Sequence, residues 1–298
     1  VYNLIGRRYG YRFISTVFLA AAIFGCSRTE KGGKMNSLLV YCGAANKPAM
    51  EEIARLFEKK TGIKVEMLLG GSGGLLYQIE MSGRGDIYIP GSPDYIIIGE
   101  RRGLLVKNSD RFVAYLIPAI ITPADNPAGI RSLDDLKRPG VRVGMGNPET
   151  VCLGLYGIEL LVENGLLSKV MKNVVTMAGS CSRSANLAAL GSVDAVIGWR
   201  VFHFWNPNRM RYIPISPDKI PRISYIPIAI PVCTRDIALS KRFIDFVLSP
   251  AGRAIYHKYG YVTSREKALG FAPHARIGGE YILPEEYHEL LKSVIGNR

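Results

Sequence analysis

At 298 residues, with 48 % hydrophobic and 21 % charged side chains, the chain can bury a sizeable core, which excludes a disordered or low-complexity protein and suggests two domains. Its 38 Lys and Arg against 25 Asp and Glu give a formal net charge of +13, a field that would draw small anions, nucleic acid or an anionic membrane face alike. The basic residues are scattered and form no recognised nucleic-acid-binding motif, so nucleic acid is not an expected partner.

Residues 1–25 read as a signal peptide. Arg7, Arg8 and Arg12 make a basic start, and residues 13–24 form an apolar run too short to span a membrane comfortably. Ile23-Phe24-Gly25-Cys26 then resembles a lipoprotein cleavage site, which would leave Cys26 as a lipidated, membrane-anchoring N-terminus. Phe24 is unusual at that point, so cleavage without lipidation, or retention as an anchor, stays open. Residues 26–37 are a polar linker rich in Gly and Lys. Loss of the leader removes three arginines and no acids, so the charge falls from +13 to 13 − 3 = +10.

The pattern then alternates strand, loop and helix, which points to α/β architecture. Leu38, Leu39, Val40 and Tyr41 read as a strand, followed by the loop Cys42-Gly43-Ala44-Ala45-Asn46-Lys47. Pro48 suits the first turn of a helix, Ala49, Met50, Ile53, Ala54 and Phe57 recur at helical spacing, and Gly62 is the stop. The design repeats with a strand over 63–69, the loop Gly70-Gly71-Ser72-Gly73-Gly74 and a helix over 75–81. That loop has neither the Lys-Ser/Thr of a phosphate-binding loop nor dinucleotide-fold spacing. Two helix starts brought face to face do, however, offer unpaired N–H groups and partial positive charge to an anion.

Further along, 114–122 is extended, Ser132-Leu133-Asp134-Asp135-Leu136 opens a short helix with a capping pattern, and 141–145 is a strand. The loop 147–154 feeds a third helix over 155–164, strands near 174–177 and 193–198 flank a helix over 184–190, and 223–232 is a second extended crossover.

Residues 40–95, with Met50-Glu51-Glu52-Ile53, Lys59-Lys60-Thr61-Gly62-Ile63-Lys64-Val65, Ser72, Gln78-Ile79-Glu80, Gly85-Asp86-Ile87-Tyr88-Ile89 and Ser92-Pro93-Asp94-Tyr95, resemble the molybdate/tungstate-binding proteins of ABC importers. The stretch from Ser240 to Pro250 and Gly260-Tyr261 are similar to that family's closing helices. The resemblance implies a two-lobed type II periplasmic binding protein fold with a ligand cleft between lobes, lobe one comprising 38–118 and 228–298, lobe two 119–227. It implies an exported receptor, periplasmic or at the cell surface, that captures a tetrahedral oxyanion by lobe closure and docks on an importer permease. It also implies a monomer with no cofactor, no catalytic residue and no metal. The binding positions it carries over are Ala45 and Asn46, Ser72 and Gly73, Cys152 and Leu153, and Trp199. Ala45 stands where such binders often have serine, and Trp199 where they have a late tyrosine; its indole donates but cannot accept. Arg200 follows, as an anion contact or a surface residue.

Four further cysteines, Cys42, Cys152, Cys181 and Cys233, allow three pairings or none, and the first three fall in loops that the family fold places near the cleft. A soft-metal site is an alternative, without Cys-x-x-Cys spacing to support it. A thiol enzyme using Cys152 is another, but His203, His257, His274 and His288 form no motif with it.

Overall fold

The computed structural model describes residues 37–296; the leader, Cys26 and all of the linker but Ser37 lie outside the described residues. In chain order the elements are β1 (Ser37–Gly43), α1 (Lys47–Thr61), β2 (Lys64–Gly70), α2 (Ser72–Ser82), β3 (Ile87–Ile89), α3 (Asp94–Arg101), β4 (Arg111–Leu116), β5 (Pro118–Pro123), β6 (Val143–Gly146), α4 (Cys152–Glu163), α5 (Leu167–Met171) and β7 (Val174–Ala178). There follow α6 (Cys181–Ala189), β8 (Ala195–Trp199), α7 (Val201–Trp205), β9 (Met210–Pro214), β10 (Arg222–Ile228), α8 (Ile237–Leu248), α9 (Pro250–Lys258), α10 (Arg265–Leu269), β11 (Arg276–Ile277) and α11 (Glu285–Gly296). Among the described residues no helix is long and apolar enough to cross a membrane.

Two α/β lobes result. The first is built on the parallel sheet β2-β1-β3, the second on the mixed sheet β7-β6-β8-β5-β9. Leu38 and Val40 of β1 are fully buried because helices cover both faces of a parallel sheet. Helix α1 buries the stripe Ala49, Met50, Ile53, Ala54 and Phe57, and the Phe57 ring meets Phe243 of α8 edge-on at 5.1 Å. Burial of one such side chain contributes roughly 1.5–3 kcal/mol. Gly62, at φ 71°, closes the helix in a left-handed cap, as its position predicts.

The expected extended segments are real and pair with each other. The first is two strands, because the chain leaves β4 at Ile117 and enters the second lobe's sheet as β5. The second is β10, antiparallel to β4 with Tyr225 opposite Tyr115. Two connections lying side by side make a hinge. The capping pattern at Ser132 is also present: the Ser132 N–H donates to Asp135 (2.9 Å), opening a short 3₁₀ turn.

Three helices start earlier than the pattern predicts, each by the same amount: Ser72 rather than residue 75, Cys152 rather than 155, Cys181 rather than 184. The small and polar residues read as loop are in fact first turns. Glycine, serine and cysteine weaken a helix interior but are tolerated where backbone N–H groups have no intrahelical partner in any case. Each of these helices therefore begins on a polar side chain.

Candidate anion-binding cleft

Ser72, Cys152 and Cys181 each occupy the first helical position, where the N–H groups face outward and the helix end is partly positive. A 3₁₀ turn over Ala44–Asn46 presents a fourth backbone start. They converge on Gly91, in the turn between β3 and α3. A Cβ placed on Gly91 would stand 2.5 Å from Cys152 Sγ, 3.3 Å from Ala45 Cβ and 3.8 Å from Ser72 Oγ. Cys181 Sγ lies 3.9 Å from Cys152 Sγ. Residues from both lobes thus crowd a single point that only glycine leaves open.

The lobes touch at this point. The Gly73 N–H of the first lobe donates to the Thr150 carbonyl of the second (3.0 Å). Ser72 is braced twice within its own lobe: its hydroxyl oxygen accepts the Gly91 N–H (3.0 Å), and its carbonyl accepts the Tyr88 hydroxyl (2.8 Å). A surface groove of about 350 Å³ lined by Gly73, Tyr95, Glu149 and Thr150 lies beside the contact.

Around the convergence point are buried donors without acceptors. Ser92 Oγ, Tyr95 OH, Tyr156 OH and Trp199 Nε1 make no hydrogen bond, although their residues are at most 4 % exposed. Tyr156 lies one helical turn beyond Cys152 on the same face of α4, and its ring meets Trp199 edge-on at 5.2 Å. Ser92 follows Gly91 directly, and Tyr95 lies in the first turn of α3. Leaving such a group unsatisfied costs about 1–3 kcal/mol, and an anion entering here would find four donors, beside the equally unpartnered Asp94 Oδ2.

Tyr95, Tyr156 and Cys152 are held in their protonated forms. Burial pushes Tyr95 and Tyr156 well up, with Cys152 a further cause for Tyr95 and Asp94 for Tyr156. The adjacent Cys181 thiol, and then burial, push Cys152 up despite the opposing effect of Ser72. At neutral pH an anion entering here would meet O–H and N–H groups rather than phenolates.

Of the expected site residues, Ala45, Ser72 and Cys152 meet at Gly91, and Trp199 reaches them through Tyr156. Gly73 is present, with its N–H engaged by Thr150. Leu153 packs beside Gly146 and can offer only its backbone. The Asn46 side chain turns into the core: its Nδ2 donates to the Gly43 carbonyl (3.2 Å) and its Oδ1 accepts from Tyr256 (3.3 Å). Arg200 is held away from the cleft, stacked on Phe204, Tyr212 and Phe271 and donating to the Gly260 carbonyl (2.9 Å). Cys42 is buried in β1 and Cys233 half-buried beside Gly85, neither against the Cys152–Cys181 pair. Sequence reasoning missed Gly91, Ser92, Tyr95 and Tyr156. The i, i+4 spacing of Cys152 and Tyr156 was a usable signal, hidden by placing the start of α4 too late.

The profile of bacterial extracellular solute-binding proteins matches residues 38–262. The chain belongs to that family. Among relatives, this solute-binding protein is 27 % identical to the molybdate-binding protein ModA of Rhodobacter capsulatus, over 72 % of this chain and 83 % of that one. It is 23 % identical to the sulfate-binding protein of Synechococcus elongatus, over 83 % and 79 % respectively. The periplasmic molybdate-binding protein of Azotobacter vinelandii superposes with a TM-score of 0.67 at 20 % identity, covering 76 % of this chain and all of that one (100 %). The fold is thus the expected two-lobed type II architecture, in an extracytoplasmic solute-binding protein of the ABC-importer type.

Proposed function

We propose that this solute-binding protein captures a tetrahedral oxyanion, molybdate or tungstate, by closing its lobes over the cleft at Gly91 and then delivers it to an importer permease. The observation that carries the reading is the set of buried, protonated, unpartnered donors, Ser92, Tyr95, Tyr156 and Trp199, beside three helix starts. A dianion of this kind is fully deprotonated at neutral pH and only accepts, so neutral donors hold it without a countercharge, each bond contributing roughly 1.5–3 kcal/mol. The chain acts as a monomer, tethered by lipid at Cys26, and binds without turnover. The neighbouring Cys181 thiol, and then burial, keep the Cys152 thiol protonated, while His203 is engaged with the Met210 carbonyl and His257 with Thr263, which leaves the thiol-enzyme alternative little support. The soft-metal alternative has less: among the described residues no group of three or more His, Cys, Asp or Glu could hold a metal ion.

Isothermal titration of the chain from Ser27 onward with molybdate, tungstate, sulfate and phosphate tests the reading. Submicromolar binding of molybdate or tungstate with weak sulfate binding is expected; tight sulfate binding alone would reassign the anion, and silence from all four would remove the function. Binding should also raise the melting temperature, since the unfolded chain has no cleft.

Ser72→Ala should weaken binding by about 1–3 kcal/mol, through loss of the hydroxyl and of the brace to Gly91. Unchanged affinity in the same titration would place the anion elsewhere.

A further inference from the structure

Cys152 and Cys181 open two neighbouring helices of the second lobe and face each other with sulfurs 3.9 Å apart. A disulfide needs about 2.05 Å, and one change of χ1 rotamer swings a sulfur by about 3 Å, more than the gap to be closed. In the reduced form Cys152 Sγ lies against Gly91 of the first lobe, 2.5 Å from where a Cβ would stand, and so occupies the space the proposed anion requires. Swinging it towards Cys181 vacates that space. The family is extracytoplasmic, where disulfides persist.

We propose that Cys152 and Cys181 are a site of oxidative modification: exchange with a disulfide-bearing oxidant joins them, and the joined form is the one that binds the oxyanion. In the first step the thiolate of one cysteine attacks the oxidant's disulfide, forming a mixed disulfide and expelling one thiol. In the second, the other cysteine attacks its neighbour's sulfur, forming the Cys152–Cys181 bond and expelling the second thiol. Two protons and two electrons pass to the oxidant. Both cysteines are at most 2 % exposed with the lobes together, so the reaction belongs to the open form. There both thiols become accessible to the oxidant, each at a helix start that favours a thiolate. The second half of the proposal rests on the binding reading above; the first does not.

The test treats the whole chain with oxidised glutathione and maps it without reduction. Tryptic peptides 143–169 and 173–183 each carry one of the two cysteines, so a linked pair identifies the bond. Their linkage, with loss of two thiols and none in Cys152→Ser or Cys181→Ser, is expected; glutathione adducts alone, or a bond elsewhere, would overturn it. Molybdate is then titrated into reduced and oxidised protein. Oxidised protein should bind at least about tenfold tighter, and the oxidant should bring no such gain in Cys181→Ser, which cannot form the bond. Equal affinities of the two wild-type forms, or the same gain of about tenfold in oxidant-treated Cys181→Ser, would overturn the gate. Silence from both forms towards every oxyanion would remove the binding reading and the gate together, leaving the cross-link to be judged on the peptide map.

Discussion

Valine in place of Gly71 is expected to leave both lobes folded and to abolish tight ligand capture. Gly71 caps α2 with φ −71° and ψ 143°, an extended conformation that valine adopts readily, so the backbone itself is not strained. The obstacle lies across the cleft. A Cβ at this position would stand 2.7 Å from the Thr150 carbonyl oxygen, 2.9 Å from the Gly179 carbonyl oxygen and 3.0 Å from Val151 Cγ2. The first two are backbone atoms of the second lobe and cannot swing aside, so relief comes only from parting the lobes. Parting them also breaks the Gly73-to-Thr150 hydrogen bond. Overpacking of this kind costs roughly 1–3 kcal/mol, and because it falls on the closed form alone it should weaken anion binding by up to roughly a hundredfold. Small-angle scattering with and without ligand should show Gly71→Val remaining in its open dimensions. Gly74→Ala is the control: nothing lies within 4 Å of a Cβ there, and alanine favours the helix. Wild-type affinity in Gly71→Val would mean that the described contact is not part of the ligand-bound state.

The second large effect is on stability. Arg222 opens β10 with its side chain fully buried, donating Nη1 to Asp94 of the first lobe (2.9 Å) and Nε to Glu159 of the second (2.5 Å), while its guanidinium lies 3.8 Å from the centre of the Tyr156 ring. Glu159 is held in turn by Arg276 (2.8 Å), and Asp94 accepts the Tyr281 N–H (3.0 Å). Arg222→Met keeps most of the volume but leaves two buried carboxylates without their shared cation, which should cost about 3–5 kcal/mol. Thermal unfolding should fall by about 10 °C, and adding Glu159→Gln should recover part of it. The pH dependence has a definite sign. Burial already lifts the Glu159 carboxyl above its usual range, and losing Arg222 lifts it further. A raised folded-state pKa means that the folded form binds the extra proton, so ionising Glu159 opposes folding increasingly as pH rises above the unfolded value. The deficit of Arg222→Met should therefore be smaller at pH 5 than at pH 8. A change in melting temperature below about 2 °C, or a deficit that grows in acid, would show that the cluster does not bear on stability in this way.

The α/β class and the strand-loop-helix rhythm were legible because apolar spacing reports burial locally, as along α1, where all five apolar residues of the expected stripe are buried. Helix starts were less legible. The pattern marks where an apolar face begins, whereas Ser72, Cys152 and Cys181 begin their helices a turn sooner with residues chosen for contacts across the cleft. Ala45, Ser72 and Cys152, carried over from the resemblance, lie in segments that the fold brings together at Gly91. Gly91 could not, since its role is to have no side chain at a point where three distant segments meet. Asn46 shows the converse: a polar side chain in the right loop, with its hydrogen bonds already spoken for in the core.

That core attachment bears on the order in which the protein is made. The Ala45 carbonyl accepts the Tyr261 hydroxyl and Asn46 accepts from Tyr256, across 216 and 210 residues of sequence. The loop emerges some two hundred residues before the tyrosines that fix it. A chain still being synthesised or threaded through a translocation channel therefore has no finished cradle until the segment through Tyr261 has been delivered.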